Sequence, residues 1–211
     1  MDLSEILNRS WSFMTRLTRN IGNLIILFAL NVIPIVNFTV IGYCAEITRL
    51  GESIDSPPKI GNYFRLFIQG LKIVIAALIY ALIPIILLII LCPAAIHALL
   101  PVPHPIALIS GVILLGVIPA LIVAFIIFII GAMGIIHMIK TGEFIKAFAF
   151  GEIIDRIKSI GLGMYLAWLI VMFGLSIIIS SLSRVHWIVS SIIEVFYLVF
   201  LARSAHYIYG L

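Results

Sequence analysis

Hydrophobic runs of about 18 residues or more recur along this chain, the length a helix needs to cross roughly 30 Å of hydrocarbon. Leu71–Leu91, Ile106–Ile139, Gly161–Leu182 and Ile188–Tyr209 are four of them. Inside a bilayer a helix satisfies its own backbone hydrogen bonds, so such runs predict an all-α integral membrane protein with about four full transmembrane helices. Composition agrees, at 64% hydrophobic and 10% charged residues, against roughly 45–50% and about 25% in soluble domains. The formal net charge of +4 does not point to nucleic acid, because the 13 Lys and Arg residues lie beside the apolar runs. That placement is what the positive-inside rule and anionic headgroups favour.

A fifth apolar stretch, Ile21–Leu50, is broken in its middle by Asn31, Pro34 and Asn37. Proline has no N–H to donate and clashes with the preceding turn. The break means either a single kinked span or a re-entrant hairpin. Arms of about 12–14 residues would each reach only about 18–21 Å, too short to cross. A re-entrant hairpin leaves Arg184 alone on one side and the other twelve of the 13 basic residues opposite; a kinked span makes the division nine against four. The positive-inside rule favours the hairpin, with both termini cytoplasmic. Pro84 and Pro119 are expected to kink or break their own spans in the same way. CPAAIHALLPVPHP reads as a proline-rich outer loop and SRVHW as a tight outer turn.

Three segments are amphipathic and basic. In residues 2–19, Leu3, Ile6, Leu7, Trp11, Phe13, Met14 and Leu17 fall on one side at helical spacing, and Glu5, Asn8, Arg9, Ser12, Arg16 and Arg19 on the other. Asp2 with Glu5 resembles a capping box. Residues 60–72 and 143–158 repeat the plan, with a break expected at Gly151. Each reads as a helix lying in the membrane interface, with Trp11, Phe64 and Phe150 at headgroup level. Arg9, Arg16, Arg19, Arg65, Lys72, Lys146 and Lys158 are the expected lipid-headgroup contacts. Each segment leads through a glycine (Gly22, Gly70, Gly161) into an apolar rise. The chain therefore divides as a single helical membrane domain of three units, 1–50, 60–139 and 143–211, each an interfacial helix plus a membrane hairpin.

GNLIILFALNVIPIVNFTVIGYCAEITRLGE and YFRLFIQGLK, with the Leu-Ile span that follows, resemble a prokaryotic membrane family, domain of unknown function four thousand and thirteen. AFAFGEIIDRIKSIGLGMYL and ARSAHYIYG look similar to that family's second half. The resemblance implies multi-pass helical architecture and brings no catalytic residue.

Glu194 is the leading functional candidate, because an ionisable group about two turns inside the last span is expensive there. Asn31 and Asn37, flanking the hairpin apex, complete a candidate intramembrane polar site. Glu194 is expected to point at them rather than at lipid. Arg203 lies on roughly the opposite face and is expected to snorkel inward or to contact the second helix of another unit. Glu46 and Arg49 should pair near an inner helix end, and His137 and His206 belong to the inner boundary. Cys44 and Cys92 read as small buried hydrophobes, and His97 and His104 offer too few ligands for a metal. Ser180, Ser181, Ser183 and His186 lack a nearby acid, and no nucleotide-binding or hydrolase motif is present. The start has acidic residues before basic ones and no short apolar core, unlike a signal peptide.

Two readings follow, neither an enzyme and neither with a cofactor. One is a transporter- or channel-like protein using Glu194, Asn31 and Asn37. The other is a non-catalytic membrane organiser that binds anionic lipid, with partner subunits or a second copy as further partners and Gly131, Ala132 and Gly134 available for helix contacts. Convergence of the three polar residues on one wet cavity would favour transport. A dry, packed centre would favour the organiser.

Overall fold

The computed structural model describes residues 1–99, 105–182 and 187–211, with side chains over 1–93, 109–182 and 189–211. Arg184, Ser183, His186, His104 and the side chain of His97 lie outside the described residues. Nine α-helices carry the described chain, and no strand occurs among those residues. They are α1 (Leu3–Thr15), α2 (Ile21–Val32), α3 (Phe38–Leu50), α4 (Tyr63–Leu99), α5 (Pro105–Val112), α6 (Ile118–Thr141), α7 (Phe150–Ile160), α8 (Leu162–Leu182) and α9 (Trp187–Gly210). Four described helical stretches are long and apolar enough to cross a membrane: Tyr63–Pro93, Ile109–Thr141, Leu162–Leu182 and Val189–Gly210. This is an all-α membrane protein.

The chain forms two compact units, one of Met1–Val74 with Met133–Leu211 and the other of Ile75–Ala132. These do not coincide with the three units read from the sequence. In the larger, α9 is the post on which α1, α2, α3, α7 and α8 pack. Ile6, Leu17, Leu27, Ile47, Val195, Val199 and Ile208 are almost fully buried around it. Local chemistry sets the ends of these helices. Asp2 caps α1 by accepting from the Glu5 N–H at 2.7 Å, and the Asn20 side chain caps α2 through the Asn23 N–H. Between α2 and α3 the chain turns at 33–37, where Pro34 follows the last helical turn and Ile35 takes a positive φ of 71°.

α3 and α4 cross at the closest approach in this unit. A Cβ on Gly42 would fall 1.8 Å from the Leu66 carbonyl oxygen, and one on Gly70 would fall 1.8 Å from that of Phe38. The two backbones touch through reciprocal glycines, the small-residue contact by which helices associate in lipid. In the smaller unit Gly131 lies under the Tyr80 ring and Gly116 under Cys92, with a Cβ at either coming 3.1–3.2 Å from its neighbour.

Several local expectations change. The second amphipathic segment is not a separate interfacial helix: it is the first turns of α4, which runs unbroken for 37 residues. Pro84 and Pro93 both lie inside that helix, so Pro84 does not end it, and the first residues of CPAAIHALLPVPHP are helical rather than loop. A proline in mid-helix forfeits one hydrogen bond, and a long apolar run on either side keeps the helix going. Pro119 is the second residue of α6, directly after a wide π turn at Ile113–Val117. A carbonyl left without its usual donor before a proline is accommodated by such a turn. The third amphipathic segment breaks at Ala149 rather than Gly151, between a 3₁₀ turn at Phe144–Phe148 and α7. Its buried face is Ile153, Ile157 and Ile160, and Phe150 and Ile154 are exposed. On α1 the buried stripe is Ile6, Ser10, Phe13 and Met14, continued by Leu17 in the 3₁₀ turn that follows, and Trp11 is 60% exposed. Ser10 is admitted because its hydroxyl bonds back to the Ile6 carbonyl at 2.7 Å.

The glycine crossing gives a stability prediction. Gly42→Ala or Gly70→Ala must push α3 and α4 apart, an overpacking cost of about 1–3 kcal/mol or more. Thermal unfolding in detergent should show Tm several degrees lower for each, while Gly174→Ala, which meets nothing within 4 Å, leaves it unchanged.

Candidate functional site

The hairpin of α2 and α3 brings its tip to Glu194. The Asn31 amide donates to Glu194 Oε2 at 3.1 Å across 163 positions of sequence. Asn37 does not join them: its Oδ1 is buried with no hydrogen-bond partner. Glu194 itself is exposed rather than turned wholly inward. An amide contact at the hairpin tip can hold a carboxylate in place without enclosing it. Two of the three expected polar residues meet, and they do so outside the cavities described below.

Towards the base of the hairpin, polar contacts are dense. Thr48 Oγ1 donates to the Ala202 carbonyl at 2.9 Å, and Arg203 donates to the Gly51 carbonyl. Gly51 has φ +54°, and the His206 ring occupies the space its Cβ would need, at 1.9 Å. Glycine is therefore required twice over at that position. Arg203 thus reaches the residue that follows α3, rather than a side chain of that helix. Asn23 ties the following loop to the hairpin: its amide donates to the Pro58 carbonyl at 3.2 Å, and its carbonyl accepts from the Ile60 N–H at 2.8 Å. The Tyr43 hydroxyl donates to the same Pro58 carbonyl at 2.8 Å.

His137 and His206, expected at the inner boundary, both have specific partners. His137 Nδ1 lies 2.8 Å from the Tyr209 hydroxyl and its Nε2 2.9 Å from Glu152. Glu152 also takes Lys146 at 2.5 Å. Lys146 is held above the usual lysine range by its hydrogen bond with Glu152, and Glu152 below the usual carboxylate range by hydrogen bonds from Lys146 and then His137. Arg156 stacks on the Tyr209 ring 4.7 Å from its centroid. Lys140 Nζ and the Thr48 carbonyl oxygen, the latter at 3.3 Å, both lie within hydrogen-bonding reach of His206 Nδ1. Single histidines gave no signal of these pairings, because every partner is 15 or more positions away.

The third feature is a groove of about 450 Å³ where α3, α4 and α6 come together. Arg49, Arg65 and Lys72 supply its charge, and Phe64, Ile68 and Ile139 are among its apolar walls. Glu46 holds two of the cations, Arg49 at 3.1 Å and Arg65 at 3.0 Å. The expected Glu46–Arg49 pair is present, and Arg65 joins it. Lys72, one helical turn beyond Ile68, remains with no counter-charge among these contacts. The groove is cationic along one rim and greasy along its walls. Arg65 and Lys72, two of the expected headgroup contacts, both line this groove. Arg9 and Arg16 lie elsewhere, on the polar side of α1. Arg19 and Lys158 are exposed on their own helices.

Residues 26–186 match the family described as Protein of unknown function (DUF4013). The chain belongs to DUF4013. The DUF4013 match takes in most of the hairpin, the α4 groove and α6 to α8; Glu194, Arg203 and ARSAHYIYG lie beyond it. No curated protein and no solved structure matches the chain.

The Glu152 cluster carries a pH prediction. A carboxylate whose value is lowered in the fold contributes stability above its ordinary value and loses it as pH falls through the lowered one. Glu152→Gln should therefore lower Tm by a few degrees at pH 7. The gap to wild type should close on acidification into the carboxylate range, read by thermal unfolding in detergent from pH 7 down to 3.

Proposed function

We propose that this protein is a non-catalytic membrane component that binds anionic lipid along the groove between α3, α4 and α6. The observation that carries the reading is the pairing of Arg49, Arg65 and Lys72 with apolar walls in one groove. A phosphate headgroup would meet the guanidinium and ammonium groups, and an acyl chain would lie along Phe64, Ile68 and Ile139. Arginine suits this contact because its planar fork matches phosphate oxygens. No metal or cofactor enters the reading, and it assigns no enzymatic step.

In the membrane we read α2 and α3 as a re-entrant hairpin, with both termini on the cytoplasmic side. Its contacts support this: the tip meets α9 at Glu194 and the base meets it at Ala202 and Arg203. That separation is about 13 Å at 1.5 Å per residue, well short of the roughly 36 Å of α9. The hairpin thus covers only part of the span beside it. In a Cys44→Ala/Cys92→Ala background, cysteines at Ser4 and Gly210 should resist an impermeant thiol reagent added outside intact cells, while one at Leu182 reacts. Labelling at Ser4 but not at Gly210 would instead mean a single kinked crossing.

Lipid binding is tested by native mass spectrometry of the purified protein with phosphatidylglycerol and phosphatidylcholine. Each basic residue near an anionic surface is worth about 1 kcal/mol. Arg65→Gln/Lys72→Gln should therefore weaken phosphatidylglycerol retention by roughly thirtyfold and leave phosphatidylcholine unaffected. Equal retention of both lipids by wild type refutes the reading.

The Asn31–Glu194 contact favours a second reading, transport through a polar intramembrane site. Glu194→Gln keeps the shape and hydrogen bonding of the side chain but cannot ionise. If transport occurs there, the variant should abolish proteoliposome flux of the solute concerned; unchanged flux rejects that site.

A further inference from the structure

Between the polar side of α1 and α9 lies a separate opening of about 380 Å³. Asn8, Ser12 and Arg16 follow one another at four-residue spacing, so they form one stripe along the helix and the turn that ends it. Arg203 and Tyr207, one turn apart on α9, face them, and Asp55 stands at the edge.

Arg203 is the unusual member. It is only 6% exposed. Its guanidinium lies against the rings of Phe13 and Tyr207, 4.4 and 4.9 Å from their centroids. It donates to the Gly51 carbonyl, yet its Nε has no hydrogen-bond partner, and among the described residues no carboxylate forms an ion pair with it. The acids nearby are engaged or solvated. Glu5 and Glu52 both pair with Arg9, and Asp55 is exposed, meeting Arg16 through its backbone carbonyl. A buried cation is costly unless a counter-charge reaches it. Two aromatic faces and one carbonyl stabilise it without neutralising it.

We propose that this opening binds a phosphate-bearing anion, held by Arg16 and Arg203, with Ser12 and Asn8 giving uncharged hydrogen bonds. Arg203 is fixed in advance by the two rings and Gly51, so little side-chain freedom is lost when the anion arrives. The volume admits a phosphate carrying a small organic group, at the lower end of ligand pockets. The anion is either a lipid headgroup or a free phosphate compound, since both present the same oxygens. This site stands independently of the α4 groove.

The test uses the full chain in phosphatidylcholine nanodiscs. One arm adds millimolar inorganic phosphate against chloride at matched ionic strength. The other replaces part of the lipid with phosphatidylglycerol, in the Arg65→Gln/Lys72→Gln background so that the α4 groove cannot supply the effect. Thermal unfolding should rise by several degrees in at least one arm. A rise with phosphate identifies a free phosphate ligand, and a rise with phosphatidylglycerol alone identifies a headgroup. Arg16→Gln and Ser12→Ala, which leave the buried Arg203 contacts intact, should each weaken the response at least tenfold in ligand concentration. No rise in either arm, or an undiminished rise in both Arg16→Gln and Ser12→Ala, overturns the proposal.

Discussion

Helix α9 is the most buried of the four spans, and the larger unit depends on how its polar groups are met there. A helix so placed cannot rely on lipid to accept its side chains, so each polar group needs a partner from a neighbouring helix. Thr48 meets the Ala202 carbonyl, Arg203 meets Gly51, and Ser204 accepts from the Trp168 indole at 3.1 Å. Tyr197 donates to the Met172 carbonyl at 2.9 Å. These contacts fix α3 and α8 in angle and height, which dispersion between apolar faces alone would leave loosely specified.

The other long helices meet the opposite demand. In the most apolar windows of α4 and of the α6 span only 11% of residues are buried, against 44% in α9. Ile79, Leu82, Ile86, Leu121, Ile122 and Phe125 are accordingly exposed. In water such surfaces would drive aggregation; in hydrocarbon they are the face presented to acyl chains. Where those helices touch their neighbours closely they do so at glycines, as Gly70 does against Phe38 and Gly131 against Tyr80.

The basic residues separate into groups with different surroundings. Arg65 and Lys72 border apolar walls, whereas Arg9 and Arg16 border polar side chains and the buried Arg203. Positive charge beside a membrane is expected of any multi-pass protein. What distinguishes these groups is the shape behind the charge: a greasy trough in one case, a small polar recess in the other. The Glu152 cluster belongs to neither, since its Lys146 and His137 are already taken up by the carboxylate.

The amino-acid order by itself determined the all-α membrane class, the four spans, the break at Pro34, the cap at Asp2 and the Glu46–Arg49 pair. All of these rest on composition or on spacings of a few residues, where helix geometry alone brings side chains together. It also singled out Asn31 and Glu194, because a polar group deep in an apolar run must find a partner. Tertiary structure alone decided that the partner is Asn31 and not Asn37, that Trp11 faces outward while Ser10 is buried, and that the second amphipathic segment continues into α4. It alone showed Arg203 buried against Gly51 and the two histidines in defined pairs. Those outcomes depend on contacts between residues distant in sequence and on which face each helix turns to its neighbours. Hydrophobic periodicity carries little of that in a membrane, because lipid and protein interior are both apolar.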